Sequence, residues 1–295
     1  MNPKQDVNSL NPRKSTSHIY YSQRLRLHYL DWGNADKPHM LLVHGVQDHC
    51  HTWDWFAAAF ADDYHVVAPD LRGHGDSEWV RGSSYHQIDY AYDLAQLVRQ
   101  RSLSPVVVVG HSMGGTLAAL LAGLYPEVVA QLVLIEGVGL WPDGFDETTA
   151  AERIRSWIDN TRSLSGRLPK RYKTLEQAFE RMHQANSHLS AERARHLTVH
   201  GSNQNEDGTY SWKYDNYTHA FPVYRIPPAD TIETWQSIEC PTLCINATAG
   251  FGHRIGQNDT LQHFRHGQLI DIADAGHWTH HDQLEAVVAA VRAFL

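Results

Sequence analysis

The amino-acid sequence predicts an α/β fold, in which helices cover a mostly parallel sheet. Short apolar runs of strand length alternate with stretches of helical spacing in both halves of the chain. Residues 106–109 form a continuous β-branched run, which is typical of a strand buried on both faces of a parallel sheet. The alternation stops between residues 140 and 235, where polar and amphipathic helical patterns replace it. These three observations indicate one sheet domain with a helical insertion.

The first half of the chain carries most of the predicted strands. A polar tail, residues 1–17, precedes a predicted hairpin with strands at 19–21 and 25–31. Further strands are predicted at the apolar runs 40–43, 65–68, 106–109 and 132–135. Helices are predicted between them at 53–60, 90–99 and 116–125.

The second half contains the insertion and then returns to the sheet. Within residues 140–235, helices are predicted at 152–159, 175–185 and 191–200, followed by a polar loop at 201–212 that leads to Pro227 and Pro228. Strands return at 242–245 and 268–272, and a last amphipathic helix begins at Asp282. The predicted domain organisation is a tail at 1–17, a core at 18–139 and 236–295, and a helical cap at 140–235.

Composition narrows the class of protein. The 295 residues include 25 Lys and Arg against 33 Asp and Glu, a net charge of −8, which disfavours nucleic acid or an anionic membrane as a partner. No apolar stretch approaches the roughly 20 residues of a membrane span, and the polar N-terminus does not resemble a secretory signal. Three cysteines without a CxxC motif fit a reduced, cytoplasmic setting. A homodimer is compatible with the sequence.

A glycine-flanked serine follows the most strongly predicted strand. Gly110-His111-Ser112-Met113-Gly114 has the G-x-S-x-G pattern, between a buried strand and a helix of small residues. Such a turn lifts the serine hydroxyl above the sheet at a helix N-terminus, whose dipole favours developing negative charge. Ser112 is therefore the predicted nucleophile.

A serine hydroxyl needs a neighbouring base, and the sequence offers one in the expected place. His277 follows Gly276 directly after the last predicted strand. Because the carboxyl ends of parallel strands meet at one edge of the sheet, we expect His277 to lie close to Ser112 and to act as general base.

Two backbone amides are candidates for holding an oxyanion. His44-Gly45-Val46 follows the strand at 40–43, and Met113 follows the predicted nucleophile. In this arrangement one N–H comes from the first loop and one from the residue after the serine. Val46 and Met113 are the predicted donors, and the apolar side chain of Val46 is no objection because its backbone donates.

These motifs together resemble a known family. They stand in order along the chain as His44-Gly45, Asp70-Leu71-Arg72-Gly73-His74-Gly75-Asp76-Ser77, Gly110-His111-Ser112-Met113-Gly114-Gly115 and Gly276-His277. The set resembles the α/β-hydrolase superfamily and is most similar to its serine hydrolase-like esterase group. The resemblance implies an eight-stranded, mostly parallel sheet with a helical cap over the active site. It also implies a small-molecule ester substrate, acyl chemistry and no cofactor.

The sequence departs from that family at the expected triad acid. The segment after the penultimate strand usually ends in aspartate, and here that position holds Gly250. Glu136, at the end of the strand at 132–135, is the predicted replacement. One subgroup of haloalkane dehalogenases and some lipases place their acid at the end of this strand. The alternatives are Asp259, another residue, or no triad acid at all.

The predicted activity is hydrolysis of a carboxylic ester through an acyl-enzyme on Ser112. The alternatives are a carbon–carbon bond hydrolase, another cofactor-free activity on the same residues, or a ligand-binding protein with little turnover. A dehalogenase or epoxide hydrolase of this family would carry aspartate at position 112. Aromatic residues in the predicted cap point to an apolar acyl or aryl group: Trp141, Phe145, Trp157, Tyr210, Trp212 and Tyr214.

One further group of residues has metal-binding side chains. His44, Asp48, His49, Cys50 and His51 lie close together in the sequence. Their spacing matches no standard zinc pattern. The sequence therefore predicts no metal site in this segment.

Overall fold

A computed structural model describes residues 15–82, 85–140, 148–165, 167–220 and 222–295. Its centre is an eight-stranded sheet, whose strands are β1 (Thr16–Ser22), β2 (Leu25–Asp31), β3 (His39–Val43), β4 (His65–Pro69), β5 (Val106–His111), β6 (Val129–Ile135), β9 (Thr242–Ala247) and β10 (Gly267–Ile272). Their order across the sheet is β1-β2-β4-β3-β5-β6-β9-β10. Strands β7 (Ser202–Gln204) and β8 (Tyr210–Trp212) pair separately. The predicted eight-stranded sheet is confirmed.

Six of the eight strands run parallel, from β4 through β3, β5, β6 and β9 to β10. Strands β1 and β2 pair antiparallel at one edge, and β2 is also antiparallel to β4. The β-branched run in β5 is buried on both faces, because Val106 and Val108 contact one hydrophobic cluster while Val107 and Val109 contact the other. Alternate side chains of a strand point to opposite faces, so this strand fills both halves of the core.

Helices cover each face of the sheet. One face carries α2 (Gln87–Gln100) and α3 (Met113–Leu124), and the opposite face carries α1 (Asp54–Phe60) and α9 (Leu284–Phe294). A short 3-10 helix, Cys50–Trp53, precedes α1, and α8 (Thr279–Asp282) precedes α9. The layered α/β architecture predicted from the alternation of strands and helices is therefore confirmed.

The helical insertion, defined here as the described residues between β6 and β9, contains four α-helices, a 3-10 helix at Asn216–His219 and the separate hairpin. The α-helices are α4 (Ala150–Leu164), α5 (Leu175–Ala185), α6 (Ala191–Gly201) and α7 (Pro228–Gln236). Two sequence expectations were wrong here. The segment at 201–212 contains β7 and β8 in place of a loop, and Pro228 begins a helix in place of ending the segment. Proline is favoured at the first helical position because its N–H would be unpaired there anyway.

Helix α7 packs on the sheet domain. A Cβ at Gly123 of α3 would lie 2.2 Å from the Thr234 carbonyl oxygen, so the two helices are in backbone contact. Trp235 belongs to the hydrophobic cluster that α2 and α3 share. The last helix of the predicted cap is therefore packed against the sheet domain. At the other end, β1 begins at Thr16, inside the predicted tail, and residues 1–14 lie outside the described part of the chain.

Among the described residues, no helix has the length and apolar character needed to cross a bilayer.

Candidate active site

The turn between β5 and α3 holds Ser112 in a conformation that side chains rarely adopt. Its φ is 54° and its ψ is −123°, values that ordinarily favour glycine. Small neighbours make the turn feasible: a Cβ at Gly110 would lie 2.3 Å from the Gly114 carbonyl oxygen, and a Cβ at Gly114 would lie 2.2 Å from that of Val43. The strained turn presents the Ser112 hydroxyl at the N-terminus of α3.

His277 lies beside Ser112, although 165 residues separate them in the sequence. Its Nε2 is 2.8 Å from the Ser112 Oγ, and its Nδ1 is 3.2 Å from the Glu136 Oε2. With the Nδ1–H donating to the carboxylate, the Nε2 lone pair faces the serine hydroxyl and can accept its proton. The fold therefore brings the predicted nucleophile, base and acid into one hydrogen-bonded row.

The Glu136 carboxylate occupies the space that a side chain at position 250 would need. A Cβ added at Gly250 would lie 2.0 Å from the Glu136 Oε2. Glu136 itself is completely buried and has a φ of 48°. The glycine at the usual aspartate position and the glutamate on β6 are therefore sterically linked.

Four donors surround the Glu136 carboxylate. Its Oε1 accepts from the Ala247 N–H at 2.6 Å and from the Arg254 guanidinium at 2.7 Å, while its Oε2 accepts from the Phe251 N–H at 3.2 Å and from His277. Burial by itself raises the pKa of Glu136, but the hydrogen bonds from His277, Ala247 and Arg254 outweigh burial and lower it. The carboxylate is therefore ionised at neutral pH.

The alternative carboxylate, Asp259, is not in contact with His277 in the described structure. Asp259 precedes the 3-10 helix Thr260–His263 and has a left-handed φ of 59°. His277 makes its Nδ1 contact with Glu136, and no contact joins it to Asp259 in the part of the chain that the structure describes.

The two predicted oxyanion donors flank the serine. A Cβ at Gly45 would lie 3.1 Å from the Ser112 Cβ, so the loop carrying Val46 passes directly over the nucleophile turn. Met113 is the first residue of α3. Neither the Val46 N–H nor the Met113 N–H donates to another described residue, which leaves both groups available to a ligand oxygen.

Three residues at the site were not singled out in the sequence for these contacts. His111 Nε2 lies 2.8 Å from the His277 carbonyl oxygen, so this buried imidazole donates to the backbone of the base. The Phe251 ring stacks on the His277 imidazole with centroids 3.9 Å apart. Arg254 pairs with Glu136. A sequence signal existed for His111 alone, inside the serine motif, because the other two contacts depend on how the loop after β9 folds.

A cavity of about 920 Å³ lies near the serine turn, although neither Ser112 nor His277 lines it. Thr116 and Val138 line it, and the N–H of each lies within 3.4 Å of the Ser112 carbonyl oxygen. The opposite wall includes Trp157 of α4. Of the other aromatic residues named above, Trp141 and Phe145 lie outside the described residues, and Tyr210, Trp212 and Tyr214 do not line this cavity.

The segment with metal-type side chains is divided by the fold. His44 Nε2 accepts from the Leu71 N–H, and His49 Nε2 donates to the Leu197 carbonyl oxygen. Cys50 is buried, with its N–H on the Asp70 carboxylate. His51 faces a different set of residues, on α1 and α6.

Comparison with known proteins places the chain among hydrolases. A family model described as the alpha/beta hydrolase fold matches residues 38–284. The sequence is 27% identical over 292 residues to epoxide hydrolase 1 of Caenorhabditis elegans, covering 92% of this chain and 68% of that protein. It is 25% identical over 276 residues to an esterase of Mycobacterium tuberculosis, covering 90% of this chain and 85% of that protein.

Solved structures agree on the fold. The thioesterase domain of the curacin biosynthetic pathway superposes with a TM-score of 0.82 at 22% sequence identity, covering 95% of this chain and 99% of that chain.

Proposed function

Because the chain belongs to the α/β-hydrolase family, we propose that it is a serine hydrolase that cleaves carboxylic esters. The observation that carries the proposal is the row of contacts from Ser112 Oγ through the His277 imidazole to Glu136, at 2.8 and 3.2 Å. A hydroxyl next to a neutral imidazole that is oriented by a carboxylate is the arrangement that activates serine for attack on a carbonyl carbon.

The first half of the reaction forms an acyl-enzyme. His277 Nε2 takes the proton of Ser112 as the serine oxygen bonds to the ester carbonyl carbon, and the carbonyl oxygen becomes an oxyanion held by the Val46 and Met113 N–H groups. His277 then gives that proton to the departing alkoxide as the carbon–oxygen bond breaks. Glu136 stabilises the imidazolium that exists between these two transfers.

The second half releases the acid. Water attacks the acyl carbon and gives a proton to His277 Nε2, and the same two N–H groups hold the second oxyanion. His277 then returns the proton to the Ser112 oxygen as the acyl–serine bond breaks, so that the carboxylic acid leaves and the enzyme is restored. No cofactor enters the proposed cycle.

The side chain at position 112 supports one of the two activities named for the relatives. One matched relative is an epoxide hydrolase and another is an esterase. An epoxide hydrolase of this family uses an aspartate nucleophile, whose ester intermediate water can hydrolyse, and this chain has Ser112 in the strained turn. The serine favours ester cleavage.

We also propose that the helical insertion acts as a cap and binds the acyl group. The cavity near the serine turn is lined by residues of α4 and of α3, and the acyl group of the proposed substrate would extend from Ser112 into it. Trp157 in this lining favours an apolar acyl or aryl group.

The cytoplasmic location stays a prediction, supported by the three unpaired cysteines Cys50, Cys240 and Cys244.

The test is hydrolysis of p-nitrophenyl esters with short to medium acyl chains. We expect turnover by the wild type and a loss of at least about 10³-fold in Ser112→Ala, because that variant has no nucleophile. A fluorophosphonate probe is expected to label the wild type and not Ser112→Ala. Wild-type turnover equal to that of Ser112→Ala, together with no labelling, contradicts the proposal and favours a ligand-binding protein.

A further inference from the structure

Three histidines and one aspartate meet where the helical insertion contacts the sheet domain. His51 lies in the 3-10 helix before α1, Asp54 begins α1, and His196 and His200 lie one turn apart on α6. One metal-ligating atom from each of the four residues lies within 4.8 Å of those from the other three. The fold thus gathers, from two stretches of sequence about 140 residues apart, a set that neither stretch contains alone.

The contacts within this cluster leave coordinating atoms unused. His51 Nδ1 and His196 Nε2 each lie 2.9 Å from the same oxygen, the Asp54 Oδ2. Asp54 Oδ1 is buried and has no hydrogen-bond partner among the described residues. The His200 ring stacks on that of His51 with centroids 3.8 Å apart, and in the described part of the chain its nitrogens form no hydrogen bond.

The donor set is that of a transition-metal site. Three imidazole nitrogens and one carboxylate oxygen suit Zn²⁺, which binds nitrogen at about 2.0–2.1 Å and carboxylate oxygen at about 2.0–2.2 Å. Histidines at i and i+4 on a helix present both rings to one face, as His196 and His200 do. A tetrahedral ion holds its ligand atoms about 3.3 Å apart. The largest separation in the cluster must therefore shorten by no more than about 1.5 Å, which side-chain rotation can supply.

An ion can reach the cluster from solvent. The side chains of His51 and His196 are 20% and 16% exposed, whereas that of Asp54 is 7% exposed. A half-buried site of this kind combines access with a low local dielectric, which strengthens the attraction between the ion and the carboxylate.

We infer that His51, Asp54, His196 and His200 form a binding site for a divalent transition-metal ion, with Zn²⁺ the best match. The ion fastens α6 of the insertion to α1 of the sheet domain. Because α1 follows the loop that carries Val46, bound metal restrains the insertion relative to that loop. The inference is independent of the proposed esterase activity, since its tests measure binding and thermal stability.

The test uses the full chain without a polyhistidine tag, treated with a chelator and then dialysed. Titration calorimetry with ZnCl₂ is expected to show one ion per chain. Zinc at a hundredfold excess over its Kd is expected to raise Tm by about 5 °C, because the ion binds the folded state. Co²⁺ in place of Zn²⁺ is expected to give the intense visible absorption of tetrahedral coordination.

Variants separate this site from other histidines. His196→Gln and His200→Gln are each expected to weaken Zn²⁺ binding at least about 100-fold and to abolish the rise in Tm. His266→Gln, at an exposed histidine directly before β10, is the matched control and is expected to bind as the wild type does. Wild-type protein that binds no zinc, or equal binding in all three variants, overturns the inference. A weak octahedral Co²⁺ spectrum in the wild type overturns it without any variant.

Discussion

At the scale of single residues, the relocated carboxylate explains two features of the sequence together. Glu136 reaches His277 from the end of β6, and its carboxylate fills the space beside Gly250. An aspartate at 250 is incompatible with the observed position of the Glu136 carboxylate, because the Cβ at 250 would approach a carboxylate oxygen to 2.0 Å. In the proposed mechanism, the two positions are therefore alternatives for supplying one acid.

We expect Glu136→Gln to lower kcat by about 10²- to 10⁴-fold without unfolding the protein. The amide keeps the shape of the side chain, but its NH₂ group can face His277 Nδ1 and favour the tautomer with the proton on Nε2, which cannot accept the Ser112 proton. Ester hydrolysis checks this expectation. Asp259→Asn is the control and is expected to stay within about twofold of wild type; a large loss there with normal Glu136→Gln activity would assign the acid to Asp259.

The steric link predicts a rescue. Gly250→Asp by itself is expected to be inactive or unstable, because its Cβ collides with the Glu136 carboxylate. Glu136→Gly removes the acid and suits the positive φ at that position. Adding Gly250→Asp to Glu136→Gly is expected to raise kcat at least about tenfold over Glu136→Gly. A double variant no more active than Glu136→Gly would contradict the exchange of positions.

Arg254 is expected to set the pH range over which Glu136 stays ionised. Its guanidinium is among the donors that lower the pKa of Glu136 against the effect of burial. In Arg254→Met that pKa rises, so the carboxylate takes up a proton at a higher pH and the acid limb of the activity profile moves upward. The ratio of kcat at pH 5.5 to kcat at pH 8 is expected to fall at least about threefold. Arg254→Lys is expected to preserve the wild-type ratio, and an unchanged ratio in Arg254→Met would refute the role.

At the scale of elements, the β5–α3 turn depends on close contact with β3. A Cβ at Gly114 would lie 2.2 Å from the Val43 carbonyl oxygen. That oxygen belongs to the backbone of β3, which cannot move aside as a side chain can. The neighbouring strand therefore fixes the turn, and the strained backbone conformation of Ser112 is maintained by the packing of the surrounding sheet.

Gly114→Ala is expected to lower the free energy of unfolding by at least about 2 kcal/mol and to lower esterase activity, since either β3 or α3 must shift. Gly252→Ala is the matched control, because a Cβ there meets no atom within 4 Å. The control is expected to stay within about 0.5 kcal/mol of wild type. Urea unfolding of both variants checks the difference, and equal stability would show that the turn tolerates a side chain.

At the scale of the whole molecule, burial of many histidines couples stability to pH. Burial lowers the pKa of His44 to about 3 and the pKa of His49 and of His74 to about 4. The pKa values of three further buried histidines are lowered well below the usual value, also chiefly by burial: His111, His280 and His281. Asp48 acts in the opposite direction, because burial raises its pKa to about 7.

The sign follows from proton uptake. Between pH 6.5 and 4 the six histidines are protonated in the unfolded chain and neutral in the folded one. Unfolding therefore takes up protons, and the free energy of unfolding decreases as the pH is lowered. Asp48 offsets the uptake of about one proton, because it is protonated in the folded state over this range and ionised in most of the unfolded chains. Each proton taken up on unfolding changes the free energy of unfolding by about 1.36 kcal/mol per pH unit. We therefore expect the free energy of unfolding to decrease by at least about 3 kcal/mol for each pH unit between pH 6.5 and 5.

Urea midpoints at pH 7.0, 6.5, 6.0, 5.5 and 5.0 measure this loss. A urea midpoint that stays the same across these five pH values would contradict the assignment of these histidines as buried and neutral.

The sequence by itself was sufficient for the sheet domain and for the candidate nucleophile and base. Strand and helix periodicities can be read from neighbouring residues in the sequence. The glycines around Ser112 predict a turn that few other residues permit. The insertion was predicted less well, because its hairpin at 202–212 has short polar strands and α7 begins at a proline. Neither feature has a strong local signal.

Only the tertiary structure decided which groups meet. The 3.2 Å contact of Glu136 with His277 joins residues 141 apart, and the approach of His51 to α6 joins the sheet domain to the insertion. Periodicity reports which face of an element is buried, whereas a contact between elements depends on sheet order and loop path. That is why the acid could be proposed from the sequence with an alternative, while Arg254, Phe251 and the histidine cluster emerged from the fold.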